Sequence, residues 1–308
     1  MAHSVKLQIG QSKVAIYDPA QNQGATRKSY FKELSYLVMK EWNPFIKLNA
    51  KVLTMDSISK LTDIEKPKGT IYVEGQSPIF YKADNGQINQ QLESIKLKDN
   101  AVLNRDKMQL NAKNIEYVIR NDRFSARTNV KTKLVNEKNG DTLHISSDRA
   151  VAYPSIQIYE FHGDVAGKIV RKRIYERSIY FWCEFLYCNM NKDYARLQKS
   201  VKIKHGTSVA TAIRGEIYLD NYNKKLKYYT LFDDVKIVEE YKNERGKLEE
   251  RIALGEKLDV YHQQRKAVLT GAPRVYQGED VIKGNKITIR ENMDLIEVDD
   301  SQSVFEIK

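Results

Sequence analysis

A short motif returns along this chain, and its return limits the fold more than any other feature. Alternating runs end at small or polar residues and resume with valine, at Val102, Val130, Val165, Val201, Val235 and Val275. The steps are 28, 35, 36, 34 and 40 residues. Ahead of the valines stand Asp99-Asn100-Ala101, Thr128-Asn129, His162-Gly163-Asp164, Lys199-Ser200, Asp233-Asp234 and Gly271-Ala272-Pro273-Arg274. Self-similarity at such a period marks a stack of like supersecondary units, each needing its neighbours to bury its apolar face.

Between the valines lies a second recurring element, an apolar strand with a small residue near its middle. It reads Ile145-Ser146-Ser147-Asp148-Arg149-Ala150, Ile213-Arg214-Gly215-Glu216-Ile217-Tyr218 and Ile282-Lys283-Gly284-Asn285-Lys286-Ile287. Val201-Lys202-Ile203-Lys204-His205 alternates with period two, which puts every second side chain on one face of a strand. A helical repeat of this length would carry a 3.6-residue stripe instead. Asn139-Gly140 is a hairpin turn signal, and Asn223-Lys224-Lys225 and Glu244-Arg245-Gly246 look like polar loop tips. In residues 27–65, Phe31, Leu34 and Val38 fit a helical stripe, while Tyr30, Leu34, Tyr36 and Val38 fit a strand, the reading preferred here. The expected class is therefore all-β and antiparallel. No Pro/Gly/Ser-rich linker divides the chain, so a continuous stack is preferred over separately tumbling domains.

The formal net charge of +11 favours an anionic partner: nucleic acid, an anionic membrane or a phosphorylated lipid. A solvated surface with spare lysines gives the same balance. No run approaches the roughly 18 apolar residues of a membrane span. Met1 to Asn22 lacks the layout of a signal peptide. A periplasmic form would thus have lost its signal or anchor, with Met1-Ala2-His3-Ser4 a non-native start. Cys183 and Cys188, on one strand, would stand roughly 16 Å apart, too far for a disulfide; they read as small apolar fillers.

Catalytic sets are missing from the sequence. It has no Walker-type phosphate loop and no Gly-x-Ser-x-Gly elbow. His3, His144, His162, His205 and His262 have no metal-ligand spacing to one another or to a cysteine. No enzyme activity, cofactor or metal is expected.

The closing segment carries a resemblance. Ala267-Val268-Leu269-Thr270-Gly271, Val275-Tyr276-Gln277-Gly278 and Val281-Ile282-Lys283-Gly284-Asn285-Lys286-Ile287-Thr288-Ile289 resemble the last repeat of the lipopolysaccharide-export periplasmic bridge family (LptA/LptC type, OstA-like domain). The family pattern is roughly Leu-Thr-Gly-Asn-x-x-(Val/Leu)-x-Gln, then Ile-x-(Gly/Ala)-Asp-x-Ile-x-Tyr. This chain departs from it at Ala272, Asn285 and Ile289. Ile145–Ala150 resembles the family's Ile-x-Ala-Asp-(Lys/Arg)-(Ala/Val), with Ser147 for Ala, and weaker echoes run back to about Gly69. Residues 1–68 could resemble the start of the anchored LptC-type partner. Residues 69–308 would then be continuous OstA-like repeats, with a possible subdivision near 160.

The resemblance implies an elongated open β-jellyroll, two antiparallel sheets facing each other as a V. It implies a periplasmic, non-enzymatic carrier of lipopolysaccharide from inner to outer membrane in a Gram-negative cell. Candidate lining residues are Ile179, Phe181, Phe185, Val201, Ile203, Ile213, Ile217, Leu219, Val235, Ile237, Leu269, Val275, Ile282, Ile287 and Ile289. From alternation alone they read better as a closed sandwich core; the resemblance favours the open groove. Lys168, Arg171, Lys172, Arg173, Lys202 and Lys204 are candidates for the anionic headgroup, or an ordinary solvated edge. The alternating Ser303-Val304-Phe305-Glu306-Ile307 could pair with another export component or a second copy by strand addition, or fray as a tail. Membrane contact would come through partners or a missing anchor.

The alternative is a structural β-stack adaptor that assembles edge to edge without cargo. Nucleic-acid binding, suggested by charge and by Tyr222, Lys224, Lys225, Lys227, Tyr228 and Tyr229, is not favoured, since that stretch reads equally well as a hairpin.

Overall fold

The computed structural model describes residues 7–9, 28–40, 43–56, 58–89, 91, 93–135, 140–172, 177–219, 226–242, 248–261, 264–290, 296–299 and 302–304. Apart from the short 3-10 turns Ile119–Asn121 and Pro154–Ile156, its regular structure is strand, all antiparallel where paired. The chain forms two compact units. The first is Met1–Leu134 with Ser147–Gln157, and the second Val135–Ser146 with Ile158–Lys308.

The first unit contains β1 (Leu7–Ile9), β2 (Lys28–Lys40), β3 (Asn43–Asp56), β4 (Leu61–Glu65), β5 (Lys68–Ile71), β6 (Ile79–Lys82), β7 (Asn85–Asn89), β8 (Ser94–Arg105), β9 (Met108–Val118) and β10 (Arg123–Val135). Apart from the turn at 58–60, the described part of residues 27–65 is therefore strand. β11 (Thr142–Tyr153) contributes residues to both units. The second unit contains β12 (Ile158–Val170), β13 (Ile179–Asn189), β14 (Tyr194–His205), β15 (Ser208–Leu219), β16 (Leu226–Lys242) and β17 (Leu248–Tyr261). Six short strands close it: β18 (Lys266–Thr270), β19 (Arg274–Gln277), β20 (Asp280–Lys283), β21 (Lys286–Arg290), β22 (Ile296–Asp299) and β23 (Gln302–Val304).

The recurring motif proves to be a crease. In the second unit, β12 holds Gly163 and Asp164 at φ 71° and 40°, β14 holds Lys199 and Ser200 at 63° and 51°, and β16 holds Asp233 and Asp234 at 66° and 53°. Each pair stands against one residue of the next strand: Glu184, Ile213 and Glu256. Two left-handed residues opposite one make a bulge that bends the strand. The line runs on to Gly271 and Ala272, where the strand breaks into β18 and β19 and the Gly271 carbonyl accepts the Glu256 N–H at 3.3 Å. Because the bulges are aligned, the whole sheet bends along one line into two half-sheets.

On one side of the crease, the starts of β12, β14 and β16 and the ends of β13, β15 and β17 continue into β18, β21 and β22. On the other, their remaining halves continue into β19, β20 and β23. Leu197, Leu231, Leu269 and Ile287 on the first half-sheet are 0% exposed, and Phe181, Val201, Val235 and Val275 on the second 0–2%. One face of a single sheet would stay wet, so the half-sheets cover each other. Val165, Val201 and Val235 follow the crease directly, each at 1% exposure. A stiff, compact side chain fills the inside of the bend, which explains the recurrence.

The first unit repeats the device. Its crease runs through Glu33 (φ 49°), Lys51, Lys66 (φ 53°), Asp84, Asp99-Asn100, Lys113 and Thr128-Asn129 (φ 68° and 54°). Backbone bonds from Lys66 N to Asp84 O (2.7 Å) and Asp84 N to Asp99 O (2.9 Å) stitch it where β4–β5 and β6–β7 are interrupted. Inside the corner here are Ala101 and Val130, each 1% exposed, rather than Val102, which is half-buried.

Candidate functional site

The crease decides which side chains face inward. Ile179, Phe181, Val201, Ile203, Val235, Ile237 and Val275 are buried on the second half-sheet of the second unit. Ile217, Leu269, Ile287 and Ile289 are buried on the first. Ile282 pairs with Val275 on the inner face and is half-buried. The Phe181 ring lies flat over Gly167, where a Cβ would stand 1.9 Å from a ring carbon. The side chain of Leu219 is outside the described residues.

Two expected lining residues face outward. Ile213 is 54% exposed. Phe185 is half-buried, with its ring 4.8 Å from that of His162. Period-two counting assumes an unbroken strand. Here the phase slips at the crease, so on β13 the inward set runs Ile179, Phe181, Cys183 and then Leu186 and Cys188. Leu186, Cys188 and Leu197, at 0–2% exposure, are inward residues that plain alternation missed. The signal that locates them is the mid-strand pair of turn-forming residues itself.

Both cysteines are free and buried, and burial pushes each thiol up to about 12. Among the described residues no cluster of metal-binding side chains occurs, and no helix is long and apolar enough to cross a membrane.

Away from the crease the inner face turns polar. From β14 to β20, His205, Ser208, Glu239, Arg251, Gln277 and Asp280 stand in one register row at the free margin of the second half-sheet; on β12 and β13 the same row is the buried Ile169 and Ile179. Arg251, with a side chain 4% exposed, lies 3.6 Å from Glu239 and donates from Nε to Gln277 Oε1 at 3.1 Å. From β14 to β20 the interior thus grades from apolar at the bend to charged at the rim.

In the first unit the rim is pinned. Arg105 ends β8 on one half-sheet, and Asp122 follows β9 on the other. Arg105 Nη1 reaches both Asp122 carboxylate oxygens at 2.9 Å, with each side chain 7% exposed. Asp122 also accepts from Tyr117 OH (3.0 Å) and Ser155 N (2.9 Å), and Arg105 donates to Gln76. Desolvation and the Asp122 charge push the Tyr117 phenol up.

The expected headgroup cations divide. Arg171 is not a surface cation: its side chain is 1% exposed and paired with Asp141 at 2.7 Å. Lys168 and Lys202 lie on the outer face, over the rings of Tyr180 and Trp182 at 5.2 and 5.4 Å. Lys204 shares that face, Lys172 is exposed, and Arg173 lies outside the described residues. At the C-terminus, Ser303 and Val304 belong to β23, paired with β20; residues 305–307 lie outside the described residues.

Comparison with known proteins follows the two units. Residues 9–139 match the family described as lipopolysaccharide-assembly, LptC-related. Residues 184–294 match the family described as LptA/(LptD N-terminal domain) LPS transport protein. A similar solved structure is LptH, the LptA homologous periplasmic component of the lipopolysaccharide transport device from Pseudomonas aeruginosa. It is 13% identical, over 42% of this chain and 95% of that one, with a TM-score of 0.38. No curated protein matches.

Proposed function

We propose, from a chain that joins an LptC-related segment to an LptA/LptD N-terminal-type segment, that this protein is a periplasmic bridge component of lipopolysaccharide transport. The cargo's acyl chains enter between the half-sheets and pass toward the outer membrane. The observation that carries the reading is the graded interior of the second unit: Ile203, Val235 and Val275 toward the crease, Arg251 and Gln277 at the rim. Such a gradient suits an amphipathic lipid, with its tails toward the bend and its polar portion at the margin.

Burying one methylene gains about 0.8 kcal/mol, so a dozen-carbon chain gains on the order of 10 kcal/mol. That gain offsets apolar surface exposed if the half-sheets part along the rim, where no ladder hydrogen bonds join them among the described residues, with the crease as hinge. Successive strands present similar apolar rows, so leaving one position is offset by entering the next. β22 and β23 end the two half-sheets, and their outer edges suit strand addition by a neighbouring jellyroll.

A photo-crosslinking residue tests this, placed singly at Ile203, Ile217 or Leu231 inside and at Ile213 outside, in the presence of lipopolysaccharide. Adducts from the first three but not from Ile213 are expected. Adducts from Ile213 alone, or from none, would remove the carrier reading. None would favour the alternative, a β-stack adaptor without cargo, which the full burial of these side chains also fits.

A further inference from the structure

The two outer faces of the second unit differ in charge. On the first half-sheet, acids and bases alternate and pair: Lys257 with Asp259 at 2.8 Å, Arg290 with Glu297 at 2.9 Å, Lys286 with Asp299. On the second half-sheet, two register rows run outward-facing from β12 to β20. One reads Ala166, Trp182, Lys202, Thr211, Lys236, Leu254, Arg274, Lys283. The other reads Lys168, Tyr180, Lys204, Val209, Val238, Ile252, Tyr276, Val281.

Neither row holds an aspartate or glutamate. Acids border the rows on both sides: Glu240 and Glu250 toward the rim, and Asp164, Glu184, Asp233, Asp234 and Glu256 along the crease, where Glu184 is 3.4 Å from Lys199 and Asp233 pairs with Arg214. Lys168, Lys202, Lys204, Lys236, Arg274 and Lys283 make no ion pair with any described residue. Lys202, Lys204, Lys236, Arg274 and Lys283 are exposed. Around them Tyr180 and Trp182 are each 36% exposed and stacked at 6.4 Å, and Val209, Ile252, Leu254 and Tyr276 are half-buried.

We propose that this face is a peripheral membrane-docking surface that rests on an anionic phospholipid bilayer, with the cations on lipid phosphates and the Trp182 and Tyr180 rings at headgroup depth. Lysine stems lie along apolar surface while their ammonium groups reach charge, and indole and phenol rings are at home in the interfacial region. A purely solvated face would gain from interspersed acids, as on the opposite half-sheet. The face points away from the interior between the half-sheets, so docking leaves that space free and stands apart from cargo carriage.

Cosedimentation of the full chain tests the proposal, with vesicles of phosphatidylcholine alone and with phosphatidylglycerol mixed in. Each basic residue near such a surface contributes about 1 kcal/mol. Reversing Lys202, Lys204 and Lys236 to glutamate should therefore weaken binding to the phosphatidylglycerol vesicles by at least about tenfold. Arginine at the same three positions should retain it, which separates charge from folding defects. In a Trp42→Phe background, Trp182 fluorescence should shift blue on those vesicles and not on phosphatidylcholine. Equal binding by native and reversed chains, or equal binding to both vesicles, overturns the proposal. No vesicle binding by the native chain overturns it too. Crosslinking of lipopolysaccharide from Ile203 should be unchanged by the reversals; its loss with vesicle binding intact would strike at the carrier reading alone.

Discussion

The two units share a crease but differ at the rim. In the first, Arg105 at the end of β8 crosses to Asp122, the left-handed residue after β9 (φ 45°), and pins one half-sheet to the other. In the second, Asp193 holds the Asp122 position as the left-handed residue after β13 (φ 49°), but the Arg105 position, counted from the bulge, is Ile169; the nearest arginine is Arg171, just past β12. Arg171 turns to Asp141 instead, and its Nε and Nη2 have no hydrogen-bond partner. The Arg105–Asp122 pair of the first unit thus has no arginine–aspartate equivalent at Ile169 and Asp193.

The largest expected effect tests that contrast directly. Arg105→Met leaves the Asp122 carboxylate buried without its cation, and breaking one side of such a pair costs about 3–5 kcal/mol. Arg171→Met removes two buried N–H groups that lack acceptors. It also takes the cation from Asp141, which keeps the Lys172 N–H at 3.0 Å, so a loss of the same order is expected, confined to the second unit. Hydrogen exchange resolved by strand measures both: Arg105→Met should release β8–β10 and leave β12–β14 protected. Release of β12–β14 by Arg105→Met would mean that the pair does not act within the first unit alone.

A second effect reads the interior of the second unit through chemistry. Cys183 and Cys188 are the chain's two cysteines, and both face the interior of the second unit. Burial raises both thiols from 9.0 to about 12, and Cys183 adds to the rise at Cys188. A raised folded value favours the protonated, folded form. The contribution is whole below pH 9 and is lost as pH climbs from 9 toward 12. By pH 10 the loss comes to roughly 1 kcal/mol per thiol. The second unit should lose stability over this range, and replacing both cysteines by alanine should flatten its slope. A slope unchanged by the replacement would mean that the thiols already meet solvent in the folded chain.

Much of this molecule was legible in its residues alone. Strand alternation, the repeat and the terminal family pattern fixed the class and the inward direction of Phe181, Val201, Ile203, Leu269 and Ile287. Phe185 and Ile213 were misplaced because a doubled left-handed residue shifts the side-chain phase, and simple counting makes no allowance for it. The turn-like pairs were visible as punctuation, yet they read as ends of strands rather than bends within them. The rim was illegible for another reason. Arg105 and Asp122 are 17 residues apart and meet only because the sheet folds back on itself. Arg171 looked like a member of a surface cluster because its sequence neighbours are basic.

The smallest effect probes the crease, where the units again differ. At the first left-handed position of the bulge, the second unit uses Gly163 at φ 71° and the first unit uses Thr128 at φ 68°. A left-handed conformation costs an L-residue roughly 1–2 kcal/mol, and a β-branched side chain is the least suited to it. Glycine avoids that cost but loses more chain entropy on folding, about 0.5–1 kcal/mol. Thr128→Gly should therefore stabilise the first unit by a few tenths to about 1 kcal/mol, and Gly163→Thr should destabilise the second by a similar amount. Paired denaturant midpoints check the signs. Destabilisation by Thr128→Gly would mean that the threonine holds the bend through contacts of its own, and that the two creases are alike in shape but not in what sustains them.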